Sequence, residues 1–202
     1  MSGKGKATVL GGGSFGTAIA NILADNGNDV ALWMRSEERV KDITENHENT
    51  RYLPGYKLNG AINATTDLVG SVADAEVIFV AVPSKSVVSV IQQCNDHLDD
   101  SRILVSTTKG IQKDGFRFMS QVLRDTTQCS NIGVLSGPNL AKEVAARMLT
   151  GSVIASESEY VRNRVQEMLS CQYFRVYGNS DMFGVELAGA LKNIYAIAAV
   201  MA

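Results

Sequence analysis

The stretch "VLGGGSFGTA", residues 9–18, constrains the fold more than any other part of this chain. It places Gly11, Gly13 and Gly16 in a G-x-G-x-x-G pattern, directly after a β-rich run and at the opening of a helical pattern. Each glycine has a mechanical reason. The first makes a tight turn, the second lets backbone approach a pyrophosphate, and the third lets the helix pack close with its N-terminal amides facing the anion. The motif alone is weak, but in a strand–turn–helix context it reads as a dinucleotide-binding turn.

The rest of the chain keeps the same rhythm. Strand patterns "ATVLGG", "DVALW", "NATTD", "AEVIFVAV", "RILVSTT", "NIGVLSG", "TGSVIAS" and "YFRVYG" are separated by helical patterns or charged, turn-rich stretches. The helices are read at about 16–26, over "RSEERVKDITEN", after Pro83, and over "FRFMSQVLRD", "LAKEVAARM" and "EYVRNRVQEML", with a loop at 48–62. The run "AEVIFVAV" lacks alternation, which implies burial on both faces. Such β-α alternation predicts an α/β fold: a Rossmann-type, doubly wound, mostly parallel sheet with helices on both faces. Residues 1–179 read as one dinucleotide-binding domain. Residues 180–202 read as a final helix with no strand after it.

Composition narrows the function classes. The formal net charge is −2, so a general affinity for nucleic acid or an anionic membrane is not expected, and an anionic ligand must be held by local groups. Cys94, Cys129 and Cys171 are odd in number and widely spaced, and His47 and His97 are the only histidines. Neither a disulfide framework nor a metal site is expected, and a reducing cytosol is the natural setting. With no signal-peptide core in "MSGKGKATVL" and an apolar terminal run too short to span a bilayer, the chain reads as cytoplasmic.

Candidate functional residues cluster where strands end. After the second strand the chain reads Trp33-Met34-Arg35-Ser36-Glu37-Glu38. An acidic residue there would bond the ribose 2′-hydroxyl of NAD, whereas Arg35 suits the 2′-phosphate of NADP, so the reading leans to NADPH with NADH tolerated. Ser14 is a candidate phosphate ligand and Phe15 a candidate coenzyme-packing residue, although both also suit a helix start. Pro83 in "VAVPSK" serves equally as a helix-start residue or a pocket wall. "STTKGI" puts Lys109, and "LSGPNLAKE" puts Gly137, Pro138, Asn139 and Ala141, at strand ends facing the same crevice. Lys192 sits within an apolar helix, with Ala188 and Gly189 one turn before it. A buried ammonium is costly unless something anionic or polar meets it, although a lysine reaching out of a half-buried helix is common. Glu186, six positions away, lies on a different helix face and is not its expected partner.

Taken together, "GGGSFGTA", Arg35, "VAVPS", "STTKGI", "LSGPNLAKEV" and "ELAGALKNIYAIA" resemble the bacterial-type NAD(P)-dependent glycerol-3-phosphate dehydrogenase, in that family's order along essentially the whole chain. The resemblance implies reversible reduction of dihydroxyacetone phosphate to sn-glycerol 3-phosphate for phospholipid synthesis, with NADP or NAD as coenzyme and a homodimer when full-length. It implies that Ser14, Phe15, Arg35, Lys109 and Ala141 meet the dinucleotide. Lys109, Gly137 and Asn139 would meet the substrate, and Lys192 would be the proton donor/acceptor. Many relatives carry serine or threonine where Asn139 stands, and an amide can still donate a hydrogen bond. Family members continue into an all-helical second domain that carries further site residues. The terminal helix is therefore expected to be the first of that domain, this piece to bind coenzyme with little turnover, and an apolar face including Ile194, Ile197 and Val200 to be exposed. Two rivals share parts of the pattern: a related ketopantoate or hydroxyacid dehydrogenase, and a dinucleotide-sensing domain without catalysis.

Overall fold

The computed structural model describes residues 4–112 and 115–201 and, beyond Lys192, the side chains of Ile194 and Ile197 alone. Strand β1 (Lys6–Leu10) passes through the glycine turn into helix α1 (Ser14–Asp25), followed by β2 (Asp29–Trp33) and α2 (Glu37–Lys41). A wider helical turn over Asp42–Asn46 and a long loop lead to β3 (Ile62–Thr65), α3 (Leu68–Ala73), β4 (Val77–Val80), α4 (Val87–Cys94) and β5 (Ile103–Ser106). A small hairpin, β6 (Ile111–Gln112) with β7 (Arg117–Phe118), precedes α5 (Met119–Thr126). The order closes with β8 (Ile132–Ser136), α6 (Ala141–Ala145), β9 (Thr150–Ala155), α7 (Glu159–Leu169), β10 (Phe174–Asn179) and α8 (Met182–Met201).

Eight strands form one sheet in the order β10-β9-β8-β5-β4-β1-β2-β3. The expected fold class holds: the central strands are all parallel, and the doubly wound order reverses between β1 and β4. One pairing departs from parallel. β9 runs antiparallel to β8, with Val134 opposite Ala155 and Ser136 opposite Val153, while β10 runs parallel to β9.

The central strands are apolar throughout because both faces are covered. Alternate residues divide between two cores. Ala7, Val9, Val77, Phe79, Ile103 and Val105 join the core beneath α1, α6 and α7. Leu10, Ile78, Val80 and Leu104 join the one beneath α3, α4 and α5. α8 lies on this second side beside α5, where Met182 and Val185 cluster with Val134 and Ala155. Short helices begin at side-chain caps: Ser36 accepts from the Arg39 amide, and Asp67 from the Gly70 amide at 2.9 Å.

Some boundaries differ from the sequence reading. The charged helix after β2 is split, and Asp42, where it turns, accepts the Thr50 amide and hydroxyl at 2.9 Å each. The helix read over "FRFMSQVLRD" starts only at Met119, because Arg117 and Phe118 pair with Gln112 and Ile111. On α8, Ile194 and Ile197 are exposed as expected; the side chain of Val200 lies outside the described residues. Among the described residues no helix is long and apolar enough to cross a membrane.

Phe79 is fully buried in a central strand, so Phe79→Ala is expected to cost about 3–5 kcal/mol in a chemical denaturation experiment. Ile197→Ser, at an exposed helix position, should change stability by less than about 0.5 kcal/mol.

Candidate active site

The glycine turn is fixed by contact. Gly11 has φ +124°, and a Cβ there would stand 2.8 Å from the Ala81 carbonyl and 3.0 Å from the Val82 nitrogen at the end of β4. A Cβ on Gly16 would stand 2.0 Å from the Gly11 carbonyl oxygen. Both positions therefore exclude any side chain, one by backbone conformation and both by close approach. At Gly13 nothing lies within 4 Å of the corresponding point; the turn is open on that side. α1 starts here with no acidic residue in its first turn and no side-chain cap, so its positive end faces that opening.

The opening belongs to a cleft of about 650 Å³ between the ends of β1 and β4, reaching from Arg35 and Arg39 past Gly11–Gly13 and Pro83 to Lys109. At one end Arg39 stacks on Tyr52, with 5.0 Å from guanidinium carbon to ring centroid. Glu37 and Glu38 are exposed and stand outside the cleft. Ser36 serves as the α2 cap. The loop bearing Tyr52 is stitched to the glycine turn. The buried Asn49 amide donates to the Gly12 carbonyl at 3.0 Å and the Thr17 hydroxyl at 2.9 Å, and the Ser14 hydroxyl donates to the Tyr52 carbonyl at 2.7 Å.

At the other end, the loop after β5 presents Lys109, whose ammonium donates to the Gly137 carbonyl at 3.1 Å. Lys109 is exposed as a residue, yet its ammonium end is partly withdrawn from water. That desolvation, and then the nearby Lys192 charge, lowers its pKa from the ordinary lysine value. Gly137 is held by close packing, since a Cβ there would lie 2.5 Å from Asn139 Oδ1 and 2.9 Å from the Gly151 carbonyl oxygen. The Asn139 amide donates to the Gly151 carbonyl and accepts from the Ser152 hydroxyl, at 2.8 Å each, and so braces this loop on β9. Ala141 opens α6, half-buried against the core beneath α1.

Gly11, Gly13, Arg35 and Lys109 are thus brought together around one cleft. Ser14, Phe15 and Gly16 form the first turn of the helix behind it. Gly137, Asn139 and Ala141 lie outside it, on the neighbouring loop that Lys109 reaches. Glu186 and Gly189 of α8 line a small cavity with Lys109, and the Lys192 charge from the same helix acts on that lysine. Arg39, Tyr52 and Asn49 were not identified from sequence. Arg39 carries one signal: it is four positions after Arg35.

An open cradle over Gly13, a helix N-terminus, and cationic side chains at both ends fit an extended dianionic dinucleotide. The comparisons agree with this geometry. The family model described as "NAD-dependent glycerol-3-phosphate dehydrogenase N-terminus" matches residues 6–161. A glycerol-3-phosphate dehydrogenase [NAD(P)+] of Alcanivorax borkumensis is 52% identical over 199 residues, covering 98% of this chain and 58% of the relative. One from Saccharophagus degradans is 52% identical over 202 residues, covering 100% and 56%. The crystal structure of glycerol-3-phosphate dehydrogenase from Coxiella burnetii superposes with a TM-score of 0.89 at 37% identity, over 96% of this chain and 60% of that one. The chain thus spans somewhat under three fifths of the length of these curated relatives. With the glycine turn, the strand order and the match over residues 6–161 in agreement, the chain belongs to the NAD-dependent glycerol-3-phosphate dehydrogenase family.

Proposed function

We propose that this chain is the coenzyme-binding part of a cytoplasmic NAD(P)-dependent glycerol-3-phosphate dehydrogenase that interconverts dihydroxyacetone phosphate and sn-glycerol 3-phosphate, and that is a homodimer when full-length. The observation that carries the reading is Lys109 at the end of the coenzyme cleft, with the charge of Lys192, from the separate helix α8, acting on it. Two neighbouring ammoniums repel each other, and a phosphorylated carbonyl compound gives both a counter-charge.

The bound coenzyme supplies hydride to the substrate's carbonyl carbon. The chain's residues do the remainder. Gly11–Gly13 and the first turn of α1 hold the pyrophosphate, with Ser14 and Phe15 in that turn and Ala141 facing the coenzyme from α6. Lys109 anchors both coenzyme and substrate, and the Gly137–Asn139 loop forms the substrate wall. The Lys192 ammonium stabilises the developing oxyanion and delivers a proton to it, taking the proton back in the reverse direction. Residues 1–179 form the coenzyme domain, and residues 180–202 begin the substrate domain. On this division the 202-residue chain binds coenzyme but turns over little.

At the far end of the cleft, Arg35 and Arg39 form a cationic pair for a 2′-phosphate, and among the described residues no carboxylate lines that end. In a fluorescence titration this chain should bind NADPH more tightly than NADH. Arg39→Ala should weaken NADPH binding by roughly 10- to 100-fold, the worth of one charge-assisted hydrogen bond, and leave NADH little changed.

The activity itself is tested by following NADPH absorbance with dihydroxyacetone phosphate, using this chain and a longer one that includes the further length of its relatives. The longer chain should oxidise NADPH only when substrate is present, and Lys192→Met in it should lower kcat by about 10²- to 10⁴-fold. Coenzyme binding without substrate-dependent oxidation in either chain would instead identify a dinucleotide sensor.

A further inference from the structure

The proposed chemistry uses Lys109 and Lys192 but leaves one buried charged side chain unassigned. Glu186 is 9% exposed, on α8, and its carboxylate accepts the Ser120 amide at 3.0 Å and, at very short range, the Ser120 hydroxyl. Ser120 is the second residue of α5, a helix whose preceding residue, Phe118, has no side-chain acceptor to cap it. Gln121 reaches back to the Phe118 amide at 2.9 Å. The Ser120 amide, one of the first-turn donors that lack an intrahelical partner, is met from 66 residues away.

The position of this bond in the fold gives it a second meaning. α5 follows directly on the hairpin that leaves Lys109, so its first turn is tied to the segment bearing one ammonium. α8 bears the other. Three contacts lie on one face of α8: Met182 with Val134 and Ala155, Glu186 with Ser120, and Gly189 against Ser136; beside them Phe183 packs edge-on to Phe118, 5.2 Å between centroids. At Gly189 a Cβ would stand 2.6 Å from the Ser136 hydroxyl oxygen, so the helix lies close over the end of β8. Among the described residues Glu186 makes the side-chain hydrogen bonds from α8 to the rest of the molecule. Lys192 follows six residues later, about 9 Å further along the helix axis.

We propose that Glu186 is a positioning residue: by bonding the first turn of α5 it fixes the rotation and advance of α8, and so holds the Lys192 ammonium beside Lys109. Burial pushes the Glu186 carboxyl above its ordinary pKa, while the Ser120 and Met119 bonds and the Arg124 guanidinium on α5 oppose that rise. Arg124 is itself paired with Glu157 at 2.9 Å. The functional meaning of this role rests on the reading of Lys192 as proton donor; its geometry does not.

The test reads the geometry through Lys109. Side-chain NMR with labelled lysine follows the Lys109 titration in the chain and in its Lys192→Met, Glu186→Ala and doubly substituted forms. Lys192→Met should raise the Lys109 pKa, because it removes a neighbouring cation. Glu186→Ala should move it in the same direction, and should add much less once Lys192 is already methionine. Glu186→Gln keeps an acceptor for the Ser120 amide and should restore most of the original value, which also serves if Glu186→Ala folds poorly. NADPH affinity at the distant glycine turn should stay within about twofold in the two Glu186 variants, as a check on folding. The proposal is overturned if neither Glu186 substitution moves the Lys109 titration, or if the shift persists in full after Lys192 is removed. Such a result would leave the dehydrogenase reading standing, since that reading is judged on turnover.

Discussion

Everything in this molecule depends on how closely backbone meets backbone where β1 ends. Gly11 lies against the carbonyl of Ala81, and Gly16 against the carbonyl of Gly11 itself. These two approaches bring the first turn of α1 to the seam where the sheet changes direction. A helix N-terminus and an open cradle thus coincide with the one place at the rim where neighbouring strands lead away to opposite sides. Any side chain at either glycine would push the helix off the strand and close that cradle. The Asn49 and Ser14 hydrogen bonds add a second layer, since they hold a long loop, and with it Tyr52, against the same turn.

The other end of the cleft is built on a different principle. There, charge is brought together against its own repulsion. Lys109 reaches a carbonyl of the next loop, and Lys192 approaches from a helix that packs on the opposite side of the sheet from α1. The Gly137 carbonyl oxygen holds the Lys109 ammonium in place, while partial desolvation works against its charge. Such an arrangement suits a site whose ligand carries negative charge.

Much of this was legible in the sequence, because the signals were local. The glycine spacing, the apolar run "AEVIFVAV" and the β-α rhythm each depend on neighbouring residues, and each led to the observed element. Lys109 and the Gly137 loop were legible because strand ends are where such sheets collect ligand groups. What escaped was decided by contacts distant in sequence. Asn49 looks like a loop residue until the loop folds back on Gly12 and Thr17. Arg39 reads as one charge in a polar helix until α2 turns it towards the cleft. The partner of Glu186, Ser120, lies 66 positions away. The hairpin of Ile111 and Phe118 has strands of two residues, too short for any periodicity to register. The amide of Asn139 reads as a donor to a ligand in sequence, whereas in the fold it fastens the loop to Gly151 and Ser152.

The reversed direction of β9 carries one more consequence, a matter of parity. β8 climbs towards the rim that holds the glycine turn, whereas β9 and β10 both descend from it. The chain therefore leaves β10 at the lower rim, and α8 must ascend, from the level of Val134 past Ser136. Had the last two strands climbed like the others, the outgoing helix would start at the upper rim and carry its amine downward, away from the cleft. Loops in this region can lengthen without changing that outcome, but strand polarity cannot reverse without changing it, so the direction of the last two strands is as much a condition of the site as any residue that lines it.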